Sequence, residues 1–306
     1  MHASGAGKLR RFRCDASAAV ASSSTMDECW AEVVLVSGEG ALLGKLPPVL
    51  TERPWWQEAG AVVRAVRQAH GVHVTVLRLL RAERECPPGG RVTYLAEVAG
   101  PVSCEPCQEA LGDHPLRRSY ARPGGPRRDL AWASSVLAAR GLTPVAAPEQ
   151  IKSWNLSSVW RIPLSQGSAW LKVVPPFFAH EGALIAALEP HGGVPQVLGF
   201  ERGRALLAEI DWGDAGIGHP LLDEAAFLER VPPEQRGPLR DHFHAAWQRA
   251  LPSCDPARAE QLIAPIAAAR QAVIYDKFLD QIEPSEHPYH QQHPLRWLMR
   301  AAQACR

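Results

Sequence analysis

The sequence predicts an α+β protein in two parts, a mixed-sheet region followed by a second β-rich region that gives way to helices. Three observations lead there. Short apolar, β-branched runs gather in two separate sets, at residues 32–98 and 158–210. Residues 101–128 between them are rich in Pro, Gly and Arg, which sets a linker at 104–128. Beyond residue 221 the apolar residues recur at helical spacing.

Taken in order, residues 32–36 and 41–46 read as strands joined by a Gly turn. Residues 55–70 carry Ala59, Val62, Val63 and Val66 on one helical face. Strands at 72–80 and 91–98 flank the turn Cys86-Pro87-Pro88-Gly89-Gly90. Asp129 is placed to cap a helix through Ala139, with Leu130, Ala133 and Leu137 inward. Strands at 158–164 and 169–174 surround Gln166-Gly167; a helix at 179–188 and strands at 197–200 and 205–210 follow. Helices are expected at 221–229 and 233–251, the second with Leu239, Phe243 and Trp247 at four-residue steps. Asp255-Pro256 opens another helix that runs toward residue 282 with a kink at Pro265, and a last one covers 295–304. The expected organisation is a disordered extension at 1–26, with Met26 as the natural start, a first domain at 27–103, the linker, and a second domain at 129–306.

The composition narrows the partners. Hydrophobic residues make up 46% and charged residues 21% of 306, enough apolar material for a buried core in each half. A formal net charge of +1 gives no global field toward nucleic acid or anionic lipid, so neither is an expected partner. No apolar run reaches bilayer length. The seven cysteines are odd in number and scattered, which points to a reducing cytoplasm rather than a disulfide framework. Cys104 and Cys107 form one CxxC, and zinc needs four ligands; Cys86 and His114 complete a set on paper but lack pair spacing. His287, His290 and His293 recur every third residue, but Pro288 and Pro294 favour an irregular surface segment over a metal site.

The segment from Arg64 to Val72 resembles the core of the Nudix box, with Arg64, Gly71 and Val72 in matching places. The Glu positions of that box hold Ala65, Gln68 and Ala69, and Glu58 lies at the wrong offset to replace them. Mg²⁺ needs hard oxygen ligands, so this resemblance implies a degenerate Nudix-like fold without metal-assisted diphosphate cleavage.

A second motif bears on phosphate chemistry. Ala169-Trp170-Leu171-Lys172-Val173 puts one Lys in an apolar strand, and Glu181 follows nine residues later in a helix. A strand Lys held by a helix Glu positions phosphates in protein-kinase-like folds. Asn155-Leu156-Ser157-Ser158-Val159 stands where such folds place a nucleotide-covering turn. The segment from Ile210 to Asp223, with Asp211-Trp212 and Gly218-His219-Pro220, resembles the metal-binding segment of the aminoglycoside phosphotransferase family. The resemblance covers about residues 130–306 and implies a β-rich N-lobe with a helical C-lobe. It further implies ATP and Mg²⁺ as cofactors, with Ser157, Ser158, Lys172 and Glu181 at the nucleotide, Asp211 on the metal and a small-molecule hydroxyl as acceptor.

The family's catalytic loop, His-Gly-Asp-x-x-x-x-Asn, is absent: residues 205–210 run straight into Asp211. No catalytic residue can be assigned. The expectation is an impaired phosphotransferase or, alternatively, a pseudokinase-like protein that binds nucleotide or a partner.

Overall fold

The computed structural model describes residues 28–191, 194–208, 221–229 and 231–305. The fold is α+β, with two sheets. Two compact units divide the chain, one within His219–Ile263 and the other within Asp27–Gly218 and Ala264–Arg306. The expected extension at 1–26 lies outside the described residues. Among the described residues no helix is long and apolar enough to cross a membrane.

The first sheet has the order β2-β1-β4-β3, with β1 at Cys29–Ser37, β2 at Leu42–Thr51, β3 at Thr75–Ala82 and β4 at Gly90–Val98. β1 runs parallel to β4, and the outer pairs are antiparallel. Strand alternation sends Ala31, Val33 and Leu35 to one face, where Val62 and Val66 of α1 (Ala59–His70) cover them. Gly71 ends α1 in the left-handed conformation, φ 69°, which a residue without Cβ adopts freely. The other face presents Val34, Val36, Leu77 and Leu95, and Cys107 and Leu111 pack on it.

That packing draws part of the expected linker onto the first sheet. Residues 104–128 cover an apolar sheet face and then bury Tyr120 and Ala121 in the second core. Arg117 reaches Glu283 at 2.7 Å, and Arg122 pairs with Asp113. Arg117 thus answers a buried carboxylate, and Arg122 an exposed one.

The second sheet has the order β5-β6-β7-β9-β8. Its strands are β5 (Glu149–Trp154), β6 (Ser157–Pro163), β7 (Ser168–Val173), β8 (Val197–Glu201) and β9 (Arg204–Leu207), all antiparallel. One face carries Trp160, Ile162, Ala169, Leu171 and Leu206 against α2 (Gly125–Ala139). Helix α2 starts five residues earlier than a cap at Asp129 would allow. Gly125 passes so close to Ser119 that a Cβ would lie 1.9 Å from its carbonyl oxygen. Asp129 is buried inside the helix, where it pairs with Arg204 at 2.7 Å. The opposite sheet face holds Ala205 and Leu207 beneath Ile185 of α3 (Glu181–Leu188).

The sheets meet at their edges. The Gln150 side chain of β5 accepts from Val76 N–H at 2.9 Å and donates to Val76 C=O at 2.7 Å, replacing a rung of backbone ladder. Ser153 adds a bond to Leu77 C=O. β5 is the one strand that the sequence pattern does not reveal, because its fully buried side chains are Gln150 and Ser153.

The remaining helices are α4 (Leu221–Glu229), α5 (Pro233–Ala250), α6 (Pro256–Leu279) and α7 (His293–Ala304). Pro265 lies within α6 without ending it. Between α6 and α7, a 3-10 segment at Pro284–Tyr289 is drawn inward. Tyr289 joins the first core between Trp56 and Trp154, and His290 is buried beside it, so this stretch is not an irregular surface loop.

Candidate functional site

Lys172 lies on β7 between Val159 of β6 and Ala205 of β9. Alternation points it away from the α2 core and toward α3. Glu181 is the first residue of that helix, and Lys172 Nζ donates to its Oε1 at 2.9 Å. Exposure is 8% for Lys172 and 2% for Glu181. Two charges at that depth persist only when they satisfy each other or a ligand. Gly182 makes the approach feasible: a Cβ there would sit 2.6 Å from the Phe200 side chain, so a larger residue would lift α3 off the sheet. Glu181 Oε2 has no hydrogen-bond donor among the described residues.

The turn between β5 and β6 is confined to Asn155 and Leu156, so Ser157 and Ser158 belong to β6. Their hydroxyls accept indole N–H bonds from Trp154 and Trp160, each at 3.0 Å. Asn155 is anchored three ways. Tyr120 donates to its carbonyl at 3.0 Å, its amide donates to Glu286 C=O at 3.3 Å, and its Oδ1 meets His290 Nε2 at 3.1 Å. The turn above the expected nucleotide position is therefore pinned to the C-terminal segment. The sequence offers no sign of this, because the partners are more than 130 residues apart. Asp211 lies outside the described residues.

Behind the turn lies a buried ionic group. Glu283 accepts from Arg117 and faces Arg78 at 3.9 Å, and Arg78 donates to Ala121 C=O. Burial pushes the Arg78 guanidinium below its ordinary range, with the Arg117 charge adding to the effect. Burial raises the Glu286 carboxyl to about 8, reinforced by the Glu283 charge.

A cleft of about 1290 Å³ runs beside α1. Its walls include Arg64, Arg67, His73, Glu97 and Arg127. Arg64 is the matching Nudix-box arginine, and it bonds Glu52 on the surface. The lining that α1 provides is Gly60, Val63, Arg64 and Arg67, with no carboxylate among them. Cys104 donates to Leu43 C=O, whereas Cys107 packs on the first sheet. His290 and His293 have ring centres 5.7 Å apart in an aromatic group with Tyr275 and Phe278.

No protein-family model, curated protein or solved structure matches the chain.

Proposed function

We propose that residues 129–306 form a kinase-like module of the aminoglycoside phosphotransferase type that binds Mg²⁺-ATP without efficient turnover. The observation that carries this reading is the buried Lys172–Glu181 pair at 2.9 Å, on the third strand of its sheet and the helix that follows. That is the placement of the phosphate-positioning pair in kinases. A Lys ammonium is a compact charge with three donors, suited to phosphate oxygens. Lys172 would contact the α- and β-phosphates, Glu181 would orient Lys172, and Asp211 would hold Mg²⁺. The bound metal supplies charge neutralisation at the phosphates.

The chain contains no His-Gly-Asp to place or deprotonate an acceptor hydroxyl. Phosphoryl transfer relies on positioning and charge stabilisation, so transfer to a small-molecule hydroxyl falls by orders of magnitude. The first sheet with α1 is read alongside this as a Nudix-like fold that does not hydrolyse diphosphates, since arginines line the cleft side of its helix.

Calorimetric titration of the full chain with ATP, with and without Mg²⁺, tests the proposal. Saturable, Mg²⁺-dependent binding that weakens about tenfold or more in Lys172→Met supports it, a loss of about 1.4 kcal/mol. No heat of binding at millimolar nucleotide overturns it. Labelled-phosphate transfer at a rate comparable to an intact kinase overturns the claim of impaired turnover.

A further inference from the structure

The unit within His219–Ile263 brings three ligand-type side chains together from three helices. Glu224 comes from α4, His244 from α5 and Glu260 from α6, with the candidate ligand atoms all within 4.8 Å of one another. His244 Nε2 lies 3.2 Å from Glu260 Oε2 and 3.6 Å from Glu224 Oε1. Zinc bonds of about 2.0–2.2 Å at tetrahedral angles set neighbouring ligand atoms roughly 3.3–3.6 Å apart. The two spacings from His244 match that geometry.

Glu224 gives an independent reason to expect a ligand. It is 1% exposed, and neither carboxylate oxygen has a hydrogen-bond donor among the described residues. The same is true of His244 Nε2, which faces both carboxylates. A buried carboxylate without donors is costly. A shared cation satisfies all three groups at once. Burial raises the Glu224 carboxyl above its ordinary value, as expected for a carboxylate that lacks such a partner. Glu260 is already oriented, because Arg240 Nε donates to its other oxygen, Oε1, at 2.7 Å. Ligating carboxylates are commonly steadied in this way.

The described residues of this unit form little buried core. Helix α5 has 18 residues and buries none of them fully. Among the described residues of this unit the buried apolar side chains are Leu221, Leu228 and Pro256. Small units with so little core are commonly held by a metal or a disulfide.

We propose that Glu224, His244 and Glu260 bind one zinc-class divalent cation that fastens α4, α5 and α6 together. One nitrogen and two carboxylate oxygens suit Zn²⁺ with a water in the fourth position, whereas Mg²⁺ and Ca²⁺ favour all-oxygen shells. The partly exposed side of the group, at Glu260, provides the way in. These residues lie apart from the nucleotide reading, and the proposal stands or falls without it.

The test uses the full chain, stripped with chelator and titrated with ZnCl₂, and separately with CoCl₂ while visible absorption is recorded. The expected results are one equivalent of Zn²⁺ bound, tetrahedral-type Co²⁺ bands, and a higher melting midpoint with metal. Glu260→Gln and His244→Gln are expected to weaken Zn²⁺ binding on the order of 100-fold. Glu260 is the most accessible of the three, so its variant tests the site even if Glu224→Gln does not fold. Absence of stoichiometric Zn²⁺ binding by the unaltered chain overturns the proposal. So does binding that survives both variants, which places the metal elsewhere, or Mg²⁺ binding as tight as Zn²⁺.

Discussion

His290 Nε2 lies 3.1 Å from Asn155 Oδ1, so a histidine beside the C-terminal 3-10 segment holds the turn that joins β5 to β6. The same asparagine reaches back through its amide to Glu286 C=O. The turn expected to cover a nucleotide is thereby tied to a segment more than 130 residues away in sequence. If the module binds nucleotide as proposed, the docking of residues 284–290 would bear on its affinity.

The contact carries a pH dependence. Burial, aided by the His293 and His287 charges, lowers the His290 imidazolium to about 3 from an ordinary 6.5. The native state therefore holds the imidazole neutral where the unfolded chain takes up a proton. Stability from this group is complete above pH 6.5 and is lost as pH falls toward 3. Urea midpoints are expected to drop over that range, and His290→Gln is expected to flatten the decline. An equally steep decline in the variant would assign the acid sensitivity to other groups.

Glu286 runs in the opposite sense. Burial, reinforced by Glu283, raises its carboxyl from 4.5 to about 8; Arg78, a hydrogen bond from Leu79 and Arg117 act against that shift. The folded protein keeps this proton where the unfolded chain releases it. Its stabilising contribution is full below pH 4.5 and disappears as pH rises through 8. Glu286→Gln keeps the shape without the charge. The variant is expected to be up to about 5 kcal/mol more stable than the parent at pH 9, converging with it near pH 4.5. Equal midpoints at pH 9 would show that the carboxylate is accommodated without penalty.

The Lys172–Glu181 pair is a stability element whatever it binds. Lys172→Met or Glu181→Gln alone strands the partner in a buried place, at an expected cost of about 3–5 kcal/mol. The double replacement Lys172→Met with Glu181→Leu removes both charges and is expected to recover most of that loss. Urea unfolding of the three variants reads the coupling directly. Recovery of stability without recovery of ATP binding would separate the pair's structural role from its ligand role.

The strands with apolar, β-branched runs were legible in the sequence, and so was the Lys172–Glu181 pair, because a strand and the following helix place residues at a fixed short spacing. Distant pairings were not legible. Arg117 with Glu283, and Asn155 with His290, join points over 130 residues apart, and nothing local marks them. The segment 104–128 looked like a linker because its composition is polar, yet Leu111 and Tyr120 are enough to anchor it. Glu224, His244 and Glu260 form no spacing motif, since their meeting depends on how three helices pack. β5 escaped for a related reason: its burial is spent on hydrogen bonding rather than on apolar contact.

That last point can be measured at Gln150. Its amide fills both a donor and an acceptor role against the Val76 backbone, at 2.7 and 2.9 Å. Gln150→Leu keeps the bulk and leaves both Val76 groups without that partner, at an expected cost of about 2–4 kcal/mol. Gln150→Glu separates hydrogen bonding from shape. As a neutral acid it can both donate and accept, so it mimics the amide; as a carboxylate it can only accept, and it brings a charge to a buried edge. Its urea midpoint is therefore expected to approach that of the parent at pH 4.5 and to fall well below it at pH 8. The Gln150→Leu deficit should change little over the same interval. If Gln150→Leu proves as stable as the parent, the Gln150 side-chain rung between β3 and β5 contributes nothing to holding the two sheets together.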